Sequence, residues 1–233
     1  MKRFWKEVDV EATEGGWRVT LDGRAVRTQG REAQVVPTRE LAEALAAEWR
    51  AQGDTVDPRS FPFRDLADYA IDHVATDRAP VIAELLRFAE TDTLCFRAGP
   101  DEPLWQRQQE VWEPLVAAVE AREGVRLERV SGVVAKPLPD ATRARLEERL
   151  AAIDPFALSA LRVMTALAAS LCVGLAALDP DADPRALFAA ANAEEDWQAE
   201  QWGWDAEAET ARSEKERAFV KAAEFLLLSS PRT

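Results

Sequence analysis

Only one histidine, His73, occurs in the 233 residues. Di-iron sites in helical bundles take two Glu-x-x-His pairs, so that pattern is excluded. Zinc chemistry through His and Cys would have to join His73 to Cys95 and Cys172, and no ligand spacing links them. No GxGxxG, Walker A or GxSxG sequence is present; Gly15-Gly16, Gly53 and Gly99 stand apart from any phosphate-cradling loop. The 42 acidic residues could in principle supply a catalytic carboxylate pair, but none lies in a glycine-rich or pocket-like setting. These absences predict a protein that is not an enzyme and takes no cofactor or metal. His73 falls on a helix predicted over about 64–76 and reads as a structural or surface residue.

Cysteine is equally scarce. Two widely separated thiols with no CxxC pair point to a reducing compartment and no disulfide framework. The start, Met1-Lys2-Arg3-Phe4-Trp5, has no apolar secretory core and no long Arg/Ser-rich presequence, which predicts a cytoplasmic protein. Long hydrophobic runs are missing too. The nearest is 156–178, where Arg162 leaves only the sixteen uncharged residues Val163–Leu178, flanked by Asp154 and Asp179. A membrane span takes about twenty, so the segment reads as a central buried helix and no membrane insertion is expected.

What is abundant is negative charge, unevenly spread. Residues 1–36 carry seven basic and six acidic groups, net +1, whereas 179–209 carry ten acids against Arg185 alone, net −9. Nucleic acid and anionic membrane are both polyanions, so that asymmetry argues against them and for a basic protein surface as partner.

The first forty residues read as β. Phe4–Val10 alternates weakly, Glu14-Gly15-Gly16 turns, Trp17–Leu21 alternates cleanly, and Asp22-Gly23 is a two-residue hairpin signal before Arg24–Thr28. Ala33–Val36 reads as a fourth strand stopped by Pro37, and Thr38 as the cap of a helix to about Gln52. Helices are predicted over about 64–76, 80–90 and 103–122, with short strands at Thr93–Arg97 and Val125–Val130 and a loop over 131–139. From Asp140 the pattern is wholly helical: about 141–152, 155–178, 184–203 and 206–228. The fold class is therefore α+β, a small antiparallel sheet with helices followed by an all-helical part. The expected domains are 1–138 and 139–233.

One stretch departs from ordinary helix surface. Between Asn192 and Trp204 lie three tryptophans (Trp197, Trp202, Trp204) and four acids (Glu194, Glu195, Asp196, Glu200). Large rings supply anchoring area and charge supplies selectivity in protein docking. At about 100° per residue, Phe188, Ala191, Glu195, Ala199, Trp202 and Ala206 share one stripe. Glu195 is thus a carboxylate within an otherwise apolar face, either paired locally or kept for a partner. Trp49 shares the Leu41/Leu45 stripe and reads as core.

The run Glu90-Thr91-Asp92-Thr93-Leu94-Cys95-Phe96-Arg97 carries a resemblance, together with Phe4-Trp5, Gly16-Trp17, Leu21-Asp22-Gly23, Val36-Pro37-Thr38 and Ala47-Glu48-Trp49. It continues through Glu113-Pro114-Leu115 and Glu194-Glu195-x-Trp197-Gln198-x-x-Gln201-Trp202-Gly203. In this order the chain resembles the F1-ATPase assembly chaperones that escort the alpha subunit. Mitochondrial members carry a presequence, so the chain looks like a bacterial member.

The resemblance implies an ATP-independent chaperone that binds unassembled alpha subunit and shields its beta-facing surface until the hexamer forms. It also implies a monomer when free. Family members depend on an acidic position in the helical part, and the matching segment here is Glu194-Glu195. The expected partner-binding residues are Glu195, Glu194, Trp202 and Trp197. Two other readings stay open: a generic acidic adaptor for another basic protein, and a carboxylate-based enzyme.

Overall fold

A computed structural model describes residues 2–132 and 137–230. Part of the predicted 131–139 loop, 133–136, lies outside the described residues. The chain divides into two compact units. Unit 1 comprises residues 1–78, 154–160 and 221–233; unit 2 comprises 79–153 and 161–220.

Unit 1 is built on an antiparallel sheet of order β1 (Val8–Thr13), β2 (Gly16–Leu21) and β3 (Arg24–Ala25). Asp22 and Gly23 both take positive φ, 48° and 75°, which is the twist a two-residue hairpin between β2 and β3 requires. The Asp22 carboxylate fixes the turn by accepting the N–H groups of Lys6 and Glu7 at 3.0 and 2.9 Å. The predicted fourth strand does not form. Val35 donates to the carbonyl of Ala33, bending the chain, so only the isolated bridges Arg27–Ala33 and Trp17–Val36 remain.

Helix α1 (Arg39–Arg50) starts where expected, because the Thr38 side chain accepts the N–H of Leu41. Its buried face, Leu41, Leu45 and Trp49, forms the unit 1 core with Val19, Leu21, Phe61 and Phe225. Trp49 meets Trp5 edge-on at 5.0 Å and Phe61 at 4.7 Å. Helix α2 (Pro62–Tyr69) runs into a single wide turn over Ala70–Val74, closed by Ala75 N–H on the carbonyl of Ala70. His73 is exposed there, its ring 5.0 Å from Tyr69.

Unit 2 contains α3 (Ala79–Glu90), the short strand β4 (Phe96–Arg97), α4 (Pro103–Glu123), β5 (Val130–Ser131) and α5 (Asp140–Ala151). It continues with part of α6 (Pro155–Ala168), then α7 (Leu171–Ala176), α8 (Pro184–Ala191), α9 (Ala193–Trp202) and most of α10 (Ala206–Ser229). The strands predicted at Thr93–Arg97 and Val125–Val130 shrink to two residues each, β4 and β5, which pair in parallel. Their donors are taken by side chains: Asp92 accepts Leu94 N–H and Glu120 accepts Leu127 N–H.

The single helix predicted over 155–178 is broken between α6 and α7. Ala169 takes φ 47° and Ser170 caps α7 by accepting Val173 N–H. The buried Asp92 imposes the break. Its carboxylate accepts Ser170 Oγ at 2.7 Å and Cys172 N–H at 2.9 Å, and Thr93 Oγ1 donates to the carbonyl of Ala169. The Glu90–Arg97 run is thus an architectural knot centred on the buried Asp92, Leu94, Cys95 and Arg97. No helix among the described residues is long and apolar enough to cross a membrane.

Candidate functional site: an acidic, tryptophan-bearing groove

The helix predicted over 184–203 is also two helices. Asn192, at φ −103° and ψ 17°, turns its amide back onto the carbonyl of Phe188 at 2.7 Å, ending α8 before α9 begins. The stripe read from the sequence therefore changes environment along its length. Phe188 and Ala191 are buried, Glu195 is exposed, and Trp202 is 75% exposed. With no side-chain cap on α9, Glu194, Glu195 and Asp196 occupy its first turn, where negative charge complements the helix dipole.

Two ion pairs hold α9. Asp196 accepts Arg212 of α10 at 2.9 and 2.7 Å, and Glu200 accepts Arg107 of α4 at 2.9 and 2.9 Å. Arg212 also spreads over the rings of Phe188 and Trp204, at 5.2 and 5.9 Å. Behind α8, Trp112 donates its indole N–H to the carbonyl of Ala190 at 2.6 Å, anchoring the base of this region to α4. Gly203, at φ 84°, then ends α9 and lets Trp204 and Asp205 lead into α10. The residues from 201 to 211 are exposed throughout, so the first turn of α10 stands in solvent.

Between α9 and α10 lies a groove of about 390 Å³. Glu195, Ala199, Trp202, Trp204 and Asp205 line one part, and Ala208, Ala211, Arg212 and Lys215 the other. Of the four residues singled out from the sequence, the fold brings Glu195 and Trp202 together in this groove. Glu194 and Trp197 do not line it. Trp197 stands behind, meeting Trp202 edge-on at 6.3 Å, and Glu194 is half-buried. Neither Glu194 nor Glu195 has an ion pair or side-chain hydrogen bond among the described residues. Asp196 and Glu200, whose charges are consumed internally, are the acids that shape the site, and sequence reasoning did not separate them from their neighbours.

A larger polar groove, about 720 Å³, lies beside β4 and β5. Its charges answer one another: Glu113 accepts Arg97 and Arg129, and Glu120 accepts Arg129. It presents little unbalanced charge, which sets it apart from the α9–α10 groove. Among the described residues no cluster of three or more His, Cys, Asp or Glu is placed to hold a metal ion. What the α9–α10 groove offers is non-covalent: the unpaired Glu195 carboxylate and exposed indole area on two helices tied by the Asp196–Arg212 ion pair.

A family model described as ATP12 chaperone protein matches residues 2–120. The mitochondrial protein atp12 of Schizosaccharomyces pombe is 26% identical over 214 residues, spanning 87% of this chain and 74% of that protein. The crystal structure of Atp12 from Paracoccus denitrificans superposes with a TM-score of 0.91 at 35% identity, covering 98% of both chains. A variant of that protein with lysine in place of one aspartate superposes equally well, at 0.91. The Atu1473 protein from Agrobacterium tumefaciens matches at 0.89 and 37% identity, over 98% of this chain and 85% of its own.

Proposed function

Because the chain belongs to the ATP12 chaperone family, we propose that it is an assembly chaperone for ATP synthase that binds unassembled F1 alpha subunit and covers its beta-facing surface. An isolated alpha subunit exposes an apolar interface large enough to aggregate. A reversible cover need only compete until the beta subunit arrives, and it needs no nucleotide chemistry of its own. The reading has the protein acting as a monomer in the bacterial cytoplasm, independently of ATP.

The observation that carries this reading is the pairing of unsatisfied carboxylate with exposed indole in one groove. Trp202 leaves 75% of its surface in water, beside Glu195, within a segment of net charge −9. An exposed tryptophan costs solubility and is kept where a partner covers it. Glu195 and Trp202 are the proposed primary contacts; Glu194 adds charge in the same first turn of α9, outside the groove lining, and Trp197 supports Trp202 edge-on.

The test is size-exclusion co-elution of the purified protein with isolated alpha subunit and with assembled F1. A one-to-one complex with the subunit alone is expected, and Trp202→Ala should weaken it by about 2 kcal/mol or more. Equal binding to complete F1 would refute the proposal, because assembly hides the surface in question. Capture of a different basic protein in preference to alpha subunit would favour a general adaptor instead.

A further inference from the structure

Unit 1 carries a second, differently charged groove of about 440 Å³, within the range of about 300–1,000 Å³ typical of occupied binding cavities. Its floor and walls are mainly apolar: Phe4, Leu21, Val26 and Trp49. Phe4 is 65% exposed, although its neighbour Trp5 is buried. Its rim is basic. Arg24 and Arg27 both line it and both are exposed; neither forms an ion pair among the described residues, and Arg27 donates to the carbonyl of Arg31 at 2.8 Å. The nearby Asp22 carboxylate is occupied by two backbone N–H groups. The one acid in the lining, Asp68, is buried and spends its oxygens on Gln34 Nε2 (2.5 Å) and Gln29 N–H (3.1 Å).

The wall also holds one donor without an acceptor, the buried Trp49 Nε1. Arg64, also in the lining, is already answered by Asp65 at 3.1 Å and by Asp68 at 3.9 Å. The groove also runs along β3, the last strand in the order β1-β2-β3, whose two residues Arg24 and Ala25 are in its lining. An edge strand with a free side is a template for an added strand.

We propose that this groove docks an extended polypeptide segment in which acidic side chains alternate with large apolar ones. The apolar side chains enter between Phe4 and Trp49, the acidic ones meet Arg24 and Arg27, and the backbone lies along β3. Charge complementarity selects this occupant, since the alternation of a strand delivers its two chemistries to opposite sides. The surface is distinct from the α9–α10 groove in sign and in composition, so it is a second contact and not an extension of the first.

Fluorescence anisotropy on the full chain tests this with two labelled hexapeptides, one of alternating leucine and glutamate and one of alternating leucine and lysine. The glutamate peptide should bind about tenfold tighter or more, and the preference should shrink as salt rises. The Arg24→Glu/Arg27→Glu variant should reverse the preference, and Phe4→Ala should weaken the glutamate peptide about fivefold. Arg24→Gln/Arg27→Gln, which introduces no repulsion, should give an intermediate loss with an unchanged melting temperature. Equal affinity for the two peptides, or glutamate-peptide binding indifferent to all three variants, would overturn the proposal. So would arginine-dependent sedimentation with phosphatidylserine vesicles in the absence of peptide binding, which would make the surface a lipid contact.

Discussion

Asp196 and Arg212 join α9 to α10 through two parallel contacts of 2.9 and 2.7 Å, and the same guanidinium lies over Phe188 at 5.2 Å. One side chain therefore links the exposed groove to the buried ring of α8. Only 15% of the Arg212 side chain and 25% of Asp196 remain exposed, so solvent screens the pair less than a surface salt bridge. Arg212→Ala should destabilise the protein by about 2 kcal/mol, from the lost charged hydrogen bonds and the uncovered ring. Urea unfolding measures this. A double-mutant cycle with Asp196→Ala should recover a coupling of about 1 kcal/mol, and strict additivity would show that the pair carries no energy of its own.

Gly174 of α7 packs directly against Leu161 and Thr165 of α6. A Cβ there would overlap the Thr165 hydroxyl and come within 2.9 Å of Leu161 Cδ1. Gly174→Ala should cost about 1–3 kcal/mol by overpacking, despite alanine being the better helix former. Adding Thr165→Ala removes the overlapping hydroxyl, which has no hydrogen-bond partner, and should return part of the loss. Thermal unfolding of the single and double variants decides it.

Asp92 holds three donors at once: Leu94 N–H at 3.0 Å, Ser170 Oγ at 2.7 Å and Cys172 N–H at 2.9 Å. Burial pushes its carboxyl up from the ordinary range, while these donors pull it back. Asp92→Asn presents an NH2 group where a donor already points. It should destabilise by about 1–3 kcal/mol, the cost of a buried unsatisfied donor. Hydrogen exchange at the start of α7 should rise in step with the loss of stability.

How much of this was legible in the sequence depended on how local each cause is. The Asp22-Gly23 hairpin and the Thr38 cap were legible because their partners lie within a few residues. The break at Ala169 was not: 155–178 is built of good helix formers, and the group that interrupts it, Asp92, is 78 positions from Ser170. The same holds in the groove. The stripe correctly aligned Glu195 with Trp202, but Asn192 splits its helix, so its first half is core and its second half faces water. Asp196 and Glu200 could not be distinguished from Glu194 and Glu195, since their partners Arg212 and Arg107 lie 16 and 93 positions away.

Glu48 gives the protein a pH dependence with a definite sign. Burial pushes its carboxyl up to about 7, against the N–H groups of Phe63 and Arg64 that it accepts at the start of α2. The folded state thus holds this proton more tightly than the unfolded chain, where the ordinary value is 4.5. The stabilisation is complete below that value and is lost as pH rises towards 7. Wild type should therefore lose melting temperature relative to Glu48→Gln between about pH 5 and 7. A difference that stays constant with pH would show that Glu48 is ionised in the folded protein throughout.

Glu195 is where docking and folding can be told apart. It is exposed, it lines the groove with Trp202, and no internal cation answers it among the described residues. Its only evident structural contribution is negative charge in the first turn of α9, worth about 0.3–1 kcal/mol. Glu195→Lys loses that and sets a positive charge against the same dipole, so it should lower stability by no more than about 2 kcal/mol. If a basic group of the alpha subunit sits opposite, the same change converts attraction to repulsion, and binding should fall by several kcal/mol, about a hundredfold or more. Asp179→Lys makes the same change in net charge within the acidic 179–209 segment but outside the groove lining, so it should leave affinity nearly unchanged. Both variants are measured for melting temperature and for alpha-subunit affinity. An equal loss of affinity in the two would reduce the effect to long-range steering, and retained binding by Glu195→Lys would remove Glu195 from the docking surface.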